Sequence, residues 1–334
     1  LNNVFQLCQK GQIFETAATI IDLVWPILES SRQYGKIESF FEMASEMFTH
    51  EFKAPPHSSD AMSYRFYRVT FFGSMFGNND RKSYIYRQNR LVGLFNYTDY
   101  IQKKYSQMTN KEIKIISDSA KVDESTLDKE IGYVQVTYVK PLIKKIKDNS
   151  EKLNTTIGLS QLNNQFFYES PFVQGSNEKQ GPIDKQWLRR TVLTTEYPLP
   201  NITKRALITS EEIKDFEPIR VVYRQLRDRT SDLLNAYEVS DYAKIQQLLS
   251  GSLVVTVNEG PEKIAEVFFN QQCDQKRKEK LKIEFKKFVV VLEKAVLLHG
   301  EFVTKNPEFM QLQFQLEEGL DRLKDVLLPF IQPK

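Results

Sequence analysis

The chain has 334 residues, roughly twice a typical domain, so more than one folded unit is expected. Hydrophobic residues at 41% and aromatics at 12% supply enough apolar surface for sizeable cores and exclude a disordered chain. A formal net charge of +3 is too even for a general nucleic-acid binder, and Cys8, Cys273, His50, His57 and His299 are too few for a disulfide scaffold or much metal chemistry.

The chain opens on Leu1 inside a helical pattern, with no initiator Met and no basic-then-apolar signal segment. It is expected to be a fragment of a longer, intracellular, cytoplasmic protein, recruited to membranes by regions outside it. No window of about 18 apolar residues predicts a membrane span. Over residues 1–52, Ile13, Ala17, Ile20, Ile21, Val24, Ile27 and Leu28 recur at helical spacing, and Ile37, Phe40, Phe41, Ala44, Met47 and Phe48 form a second stripe. Two antiparallel helices resembling one unit of a helical-repeat array are predicted. Such a hairpin cannot bury its outer faces alone. Trp25, Phe14 and Phe41 make self-association its expected role. The run Pro55-Pro56-His57-Ser58-Ser59-Asp60 marks a boundary.

From Met62 the period becomes strand-like. Strands are predicted over 64–72, 83–87, 113–116, 133–139, 165–168, 188–195 and 204–208, with one helix near 91–105 and a loop over 174–185. In Tyr133-Val134-Gln135-Val136-Thr137-Tyr138-Val139, two polar residues stand among apolar ones. Successive strands without regular intervening helices argue for antiparallel sheets, here two packed on each other. Ser210-Glu211-Glu212 resembles a helix start, and helical periodicity follows over 218–237, 242–270, 276–300 and 307–328. Four amphipathic helices predict a bundle. The expected fold is thus multi-lobe α+β: a helical-repeat-like lobe (1–57), an antiparallel β lobe (58–208) and a four-helix lobe (209–334) with one interrupted helix.

Motifs for phosphate loops, dinucleotide binding, zinc proteases, serine hydrolases and CxxC chemistry are absent from the sequence. The three histidines read as ordinary surface or helix-end residues, and Cys273 as a plain thiol. The basic run Lys276-Arg277-Lys278 with Lys280, Lys282, Lys286 and Lys287 reads as a solvated helix face, because Leu281, Phe285, Phe288, Leu292 and Val296 stripe the same helix. One segment breaks its own pattern. Between helical stripes stands Gly251-Ser252-Leu253-Val254-Val255-Thr256-Val257-Asn258-Glu259-Gly260-Pro261, where two glycines at about 1 kcal/mol each and a proline at about 3 kcal/mol oppose a continuous helix. The residues alone leave open a buried connector or a partner-contacting loop.

At these positions the chain resembles a known family. Tyr67-Arg68-Val69-Thr70-Phe71-Phe72-Gly73 with Phe76-Gly77, Tyr84-Ile85-Tyr86, Asp118-Ser119-Ala120-Lys121-Val122, Leu127-Asp128, the strand 133–139, Arg189-Arg190-Thr191-Val192-Leu193-Thr194-Thr195 and the segment 251–261 are similar, in order, to the signature of the catalytic Dock homology region two of DOCK-family guanine nucleotide exchange factors. The details are similar to the Zizimin and Zir branches. Leu253 stands where the family's loop motif has its first valine.

The resemblance implies a helical dimerisation lobe, a lobe of two antiparallel sheets and a four-helix lobe, with a Rho-family GTPase, Rac-like or Cdc-type, bound between the last two. It implies that the interrupted helix is the nucleotide-sensor insert, Leu253 to Gly260, with Val257 as sensor and Leu253 second. Asn258, Gly260 and Pro261 complete the motif, and Val254, Val255 and Thr256 are expected to contact the partner. An apolar side chain pushed into the GTPase's Mg²⁺ site excludes the metal, so exchange factor and nucleotide weaken each other's binding. The expected activity is nucleotide exchange without covalent chemistry, with no cofactor or metal of its own, a preference for nucleotide-free GTPase, and homodimerisation. The alternative is a GTPase-binding scaffold that does not discharge nucleotide.

Overall fold

The structure, a computed structural model, describes residues 2–11, 14–32, 34–49, 64–89, 92–142, 163–175, 178, 180–199, 201, 203–254, 260–270 and 274–331. The chain divides into two compact units, Leu1–Ser170 with Arg190–Lys214, and Pro171–Arg189 with Asp215–Lys334.

The first unit begins with three helices, α1 (Asn2–Gly11), α2 (Phe14–Ser30) and α3 (Tyr34–Thr49). The expected hairpin is present as α2 and α3, and α1 adds a third helix to it. Phe5 and Cys8 of α1, Ala17 of α2 and Phe40 of α3 form their buried core, with the Phe5 and Phe40 rings 5.7 Å apart. Burial raises the pKa of the Cys8 thiol. Ile27, placed on the inward stripe by spacing, is instead 65% exposed.

The β region consists of β1 (Tyr64–Phe72), β2 (Ser83–Asn89), β3 (Ile113–Ile116), β4 (Gly132–Pro141), β5 (Asn163–Val173), β6 (Gln186–Leu199) and β7 (Arg205–Phe216), with α4 (Leu94–Thr109) between β2 and β3. The strand order is β1-β2-β7-β6-β5-β4-β3, and a further β1–β4 pairing closes six strands into an antiparallel barrel. The two packed sheets expected from the sequence are therefore one closed sheet. Closure removes the exposed edges that two open sheets would leave. The exception to antiparallel pairing is β3, which lies parallel to β4, Ile113 opposite Gly132. The acidic Ser210-Glu211-Glu212 that resembled a helix start lies inside β7, so the first bundle helix begins only at Pro218. Pairing in the barrel overrides local preference there.

Alternation along β1 sorts its side chains onto two faces. Tyr64 and Phe66 join Ile85, Val139, Phe166, Leu193, Leu199 and Ala206, drawn from all six barrel strands, so this face is the interior. Tyr67, Val69 and Phe71 point outward and pack with Val134 and Val136 under Tyr97, Ile101 and Tyr105 of α4. Burial pushes the Tyr97 and Tyr105 phenols well above their ordinary pKa. The β1–β2 connection needs two backbone conformations open mainly to glycine, Gly73 at φ 130° and Gly77 at φ 54°. Phe76 between them packs its ring against Phe71 at 5.1 Å and Tyr105 at 5.6 Å.

The interior face also carries a charge. Arg68 is 5% exposed and donates through Nη2 to Gln135 Oε1 at 2.6 Å and Thr137 Oγ1 at 3.2 Å, and through Nη1 to the Tyr168 hydroxyl at 2.9 Å. Gln135 Nε2 in turn donates to the backbone carbonyls of Asp118 and Ala120. The two polar residues of β4 thus hold one terminal nitrogen of a buried guanidinium, whose Nε has no partner among the described residues, and Gln135 also pins the loop ahead of that strand.

The second unit holds α5 (Pro218–Glu238), α6 (Tyr242–Leu253), α7 (Pro261–Asn270), α8 (Gln275–Lys305) and α9 (Met310–Ile331). Leu281, Phe285, Phe288, Leu292 and Val296 of α8 interlock with Leu316, Leu320, Leu323 and Leu327 of α9 in one core, as their spacing predicted.

Replacing Gln135 by Leu keeps the volume but removes an acceptor from buried Arg68 and a donor from two carbonyls. Urea unfolding is expected to show a loss of about 2–4 kcal/mol, against well under half of that for Thr137→Val, which withdraws a single longer bond.

Candidate functional site

The interrupted helix is the strongest candidate. Asp241 caps α6 by accepting from the Lys244 amide at 3.1 Å, and Ile245, Leu249, Ser252 and Leu253 form its buried side. The break comes later than composition suggested: α6 continues through Gly251 and ends at Leu253. Ser252 Oγ donates to the Leu248 carbonyl at 2.7 Å, which satisfies a hydroxyl in an apolar setting. Val254 is half-buried and still packs on the bundle core. On the far side α7 opens with Pro261, whose fixed φ suits the first helical position and whose missing N–H is one the first turn would leave unbonded. The Gly260 carbonyl accepts from the Ile264 amide at 3.1 Å, and Gly260 and Pro261 are buried.

Of the site residues expected from the sequence, Leu253, Val254, Gly260 and Pro261 are therefore the two stems of the insert. Leu253, 2% exposed, is part of the bundle core. Val255, Thr256, Val257 and Asn258 lie outside the described residues.

Both stems are tied to α9, and sequence reasoning missed the residues that do it. A β-carbon on Gly319 would stand 2.5 Å from the Leu253 carbonyl oxygen and 3.0 Å from the Leu253 Cβ, so the end of α6 rests directly on the α9 backbone. Three residues on, Arg322 reaches both stems. Its Nη2 points to the Leu253 carbonyl at 3.5 Å, its Nε lies 3.9 Å from Glu262 in the first turn of α7, and its Nη1 lies 3.2 Å from Glu318. At about half exposure these polar contacts are worth little individually, and the glycine contact sets the geometry. The available signal was Gly319 itself, since a glycine within Leu316-Glu317-Glu318-Gly319-Leu320 costs helix propensity with no local benefit.

The other chemistry-bearing residues do not gather. Among the described residues no group of three His, Cys, Asp or Glu side chains could hold a metal ion. His50, His57 and Cys273 lie outside the described residues. His299, expected near a surface or helix end, is instead fully buried in α8, with Nδ1 2.7 Å from Gln313 Oε1. Its position on the core side of an amphipathic helix, one turn after Val296, decides this. Across β6 and β7, Arg189 grips Asp215 with two bonds of 2.8 Å, and that hydrogen bonding holds the carboxyl below its ordinary pKa.

Two glycines of this bundle should respond oppositely to alanine. At Gly251 nothing lies within 4 Å of a new methyl, so the gain in helix propensity stands alone. A stabilisation of about 0.5–1 kcal/mol is expected there in thermal or urea unfolding. At Gly319 the same gain is outweighed by collision with a backbone carbonyl, and a net loss of about 1–3 kcal/mol is expected.

Relatives among known proteins align along the whole chain. The family profiles for DHR-2 lobe A, lobe B and lobe C match residues 1–53, 119–198 and 233–330, well over half of the sequence. Dedicator of cytokinesis protein 8 of Mus musculus is 29% identical over 343 aligned residues, covering 100% of this chain and 16% of the relative. Human dedicator of cytokinesis protein 7 is 28% identical over 333, covering 96% and 15%, and the guanine nucleotide exchange factor SPIKE 1 of Arabidopsis thaliana is 26% identical over 346, covering 98% and 19%. The chain thus spans less than a fifth of the length of these relatives. With three lobe profiles matched in order and the relatives aligned across nearly every residue, the chain belongs to the DOCK family as a DHR-2 domain.

Proposed function

We propose that this DHR-2 chain is a guanine nucleotide exchange factor for a Rho-family small GTPase, Rac-like or Cdc-type, and that Val257 is the residue that expels the partner's Mg²⁺. The observation that carries the reading is the interrupted helix with both stems fixed on one rigid helix, Leu253 on Gly319 and Glu262 near Arg322. Between these stems the sequence reads Val255-Thr256-Val257-Asn258-Glu259, whose apolar side chains can supply no ligand to a metal ion. A valine in a metal site offers no ligand. It removes the ion that neutralises the phosphates, so exchange factor and nucleotide weaken each other's binding by the same factor. Kinship with a protein named as an exchange factor, SPIKE 1, supports the assignment. Leu253 serves as anchor and Val257 as effector. Val254, Val255, Thr256, Asn258, Gly260 and Pro261 shape the loop and its partner contact, and the exchange proceeds without covalent chemistry.

Release of fluorescent GDP from a panel of Rho-family GTPases tests the reading. Val257→Ala is expected to slow release roughly 5–150-fold, the span of ordinary coupling energies, with an unchanged melting temperature. EDTA should shrink the difference, because chelation removes the ion that the valine would expel. Leu253→Ala should instead lower stability by about 2–5 kcal/mol as a core truncation. Val257→Ala that melts early yet exchanges at full rate would refute the assignment.

The helical region of residues 1–49 is proposed as a homodimer surface. Leu7, Leu23 and Ile27 are each about two-thirds exposed, at 66%, 66% and 65%, and Phe41 is 45% exposed beside Trp25. Several large apolar side chains on one small helical unit favour a covering partner. Sedimentation at a few tens of micromolar, roughly where an obligate interface holds, should give a dimer for the chain and a monomer for Leu23→Glu with Ile27→Glu. A monomeric parent chain would remove the proposal.

A further inference from the structure

Away from the insert, the second unit has a cleft of about 380 Å³ between α5 and the start of α8. Arg220, Arg224 and Arg227 reach it from α5, Arg277 and Lys280 from α8. Its apolar wall is made by Phe216, Ile219 and Tyr223. None of these eight lining residues is acidic.

The spacing explains the cluster. Positions 220, 224 and 227 fall at i, i+4 and i+7, on one stripe of α5. The Arg220 and Arg224 guanidiniums lie 5.4 and 5.1 Å from the Phe216 ring centroid, which orients them along the wall. Arg277 is bound to Glu217 and lies 3.3 Å from Asp274, so its own charge is compensated from behind. Among the described residues Arg220 and Lys280 have no ion pair, and both are exposed. The helix ends add to the field. Glu217 and Asp274 stand at the N-caps of α5 and α8, and Arg220 and Arg277 occupy the first turns just inside them, where the macrodipole disfavours a cation. Five cations face one cleft that no carboxylate lines, Arg227 meeting Asp228 and Arg277 meeting Glu217 and Asp274 outside it, and a bound anion relieves their mutual repulsion.

We infer that this cleft is a binding site for a phosphate-bearing anion of the inositol-phosphate kind. Guanidinium forks match phosphate oxygens two at a time, and four of the five cations are arginines beside an aromatic wall. A phosphomonoester brings close to two charges on one compact group, whereas carboxylates bring one each. A small polyphosphorylated ring therefore satisfies several cations within a cleft of this volume. The same headgroup is available free or on a membrane lipid. The site is independent of the exchange reading, since none of its residues belongs to the insert.

Titration of the 334-residue chain with inositol hexakisphosphate tests the site, alongside co-sedimentation with phosphatidylcholine vesicles with and without phosphatidylinositol bisphosphate. Saturable binding of the free anion, weakened by salt, is expected, and Arg220→Gln with Arg227→Gln should lower the affinity about tenfold or more. Lys244→Gln with Lys263→Gln, exposed residues of α6 and α7, should leave it unchanged. Should the α5 pair alter the melting temperature, Lys280→Gln repeats the test from α8 alone. Vesicle binding that depends on the bisphosphate and on Arg220 and Arg227 places the headgroup on a lipid, and binding of the free anion alone places it in solution. Either supports the site. Equal affinity of parent and α5 variant overturns it. So does polyglutamate binding as tightly as the inositol phosphate with the same loss in the variant, which would make the cleft a contact for an acidic protein segment.

Discussion

The Leu253 carbonyl lies where a side chain on Gly319 would have to be, and much of the second unit follows from that contact. Because α9 offers bare backbone at Gly319, α6 can end against it with Leu253 buried and Val254 still packed on the core. The return is fixed as well. Pro261 restricts the first turn of α7, and Glu262 comes within reach of the same Arg322 that approaches the Leu253 carbonyl. The two stems of the insert are thus positioned by α9 and not by the insert's own sequence.

In the first unit, the residues that identify the family are mostly residues the fold requires. Gly73 and Gly77 adopt positive φ, and Phe76 between them closes an aromatic cluster with Phe71 and Tyr105. Gln135 and Thr137 hold a buried guanidinium inside the barrel. A charge in such a place is costly without hydrogen bonds, so the polar residues of β4 are constrained as tightly as the apolar ones around them. A signature that reads as a mark of function is, at these positions, a statement about stability.

Charge was read less well than hydrophobicity, for a physical reason. The basic run at the start of α8 was followed along one helix, where a solvated face is the natural reading. Lys276, Lys280, Lys286 and Lys287 are indeed exposed. What the run shares with α5 is visible only across a helix interface, since Arg220 and Arg277 lie 57 positions apart in sequence yet line one cleft. Hydrophobic periodicity survives such distances because each helix buries its own stripe. A charge cluster built from two helices has no periodic signature.

Sequence alone determined the kinds of elements, most strand positions, the paired stripes of α8 and α9, and the existence of a break before Pro261. These depend on local spacing, on glycine and proline chemistry, and on the order of motifs along the chain. Where strand ends and helix starts compete locally, as at Ser210-Glu211-Glu212, pairing with a neighbouring strand decided the outcome. Closure of the sheet into one barrel was likewise tertiary, because the β1–β4 pairing joins segments nearly seventy residues apart that no local pattern connects. The burial of His299 and the shift of the break from Gly251 to Leu253 were settled in the same way, by which neighbours the fold brought alongside them. Gly319 is the clearest case: its sequence recorded a missing side chain, and only the packed bundle showed that the space was needed for the backbone of Leu253.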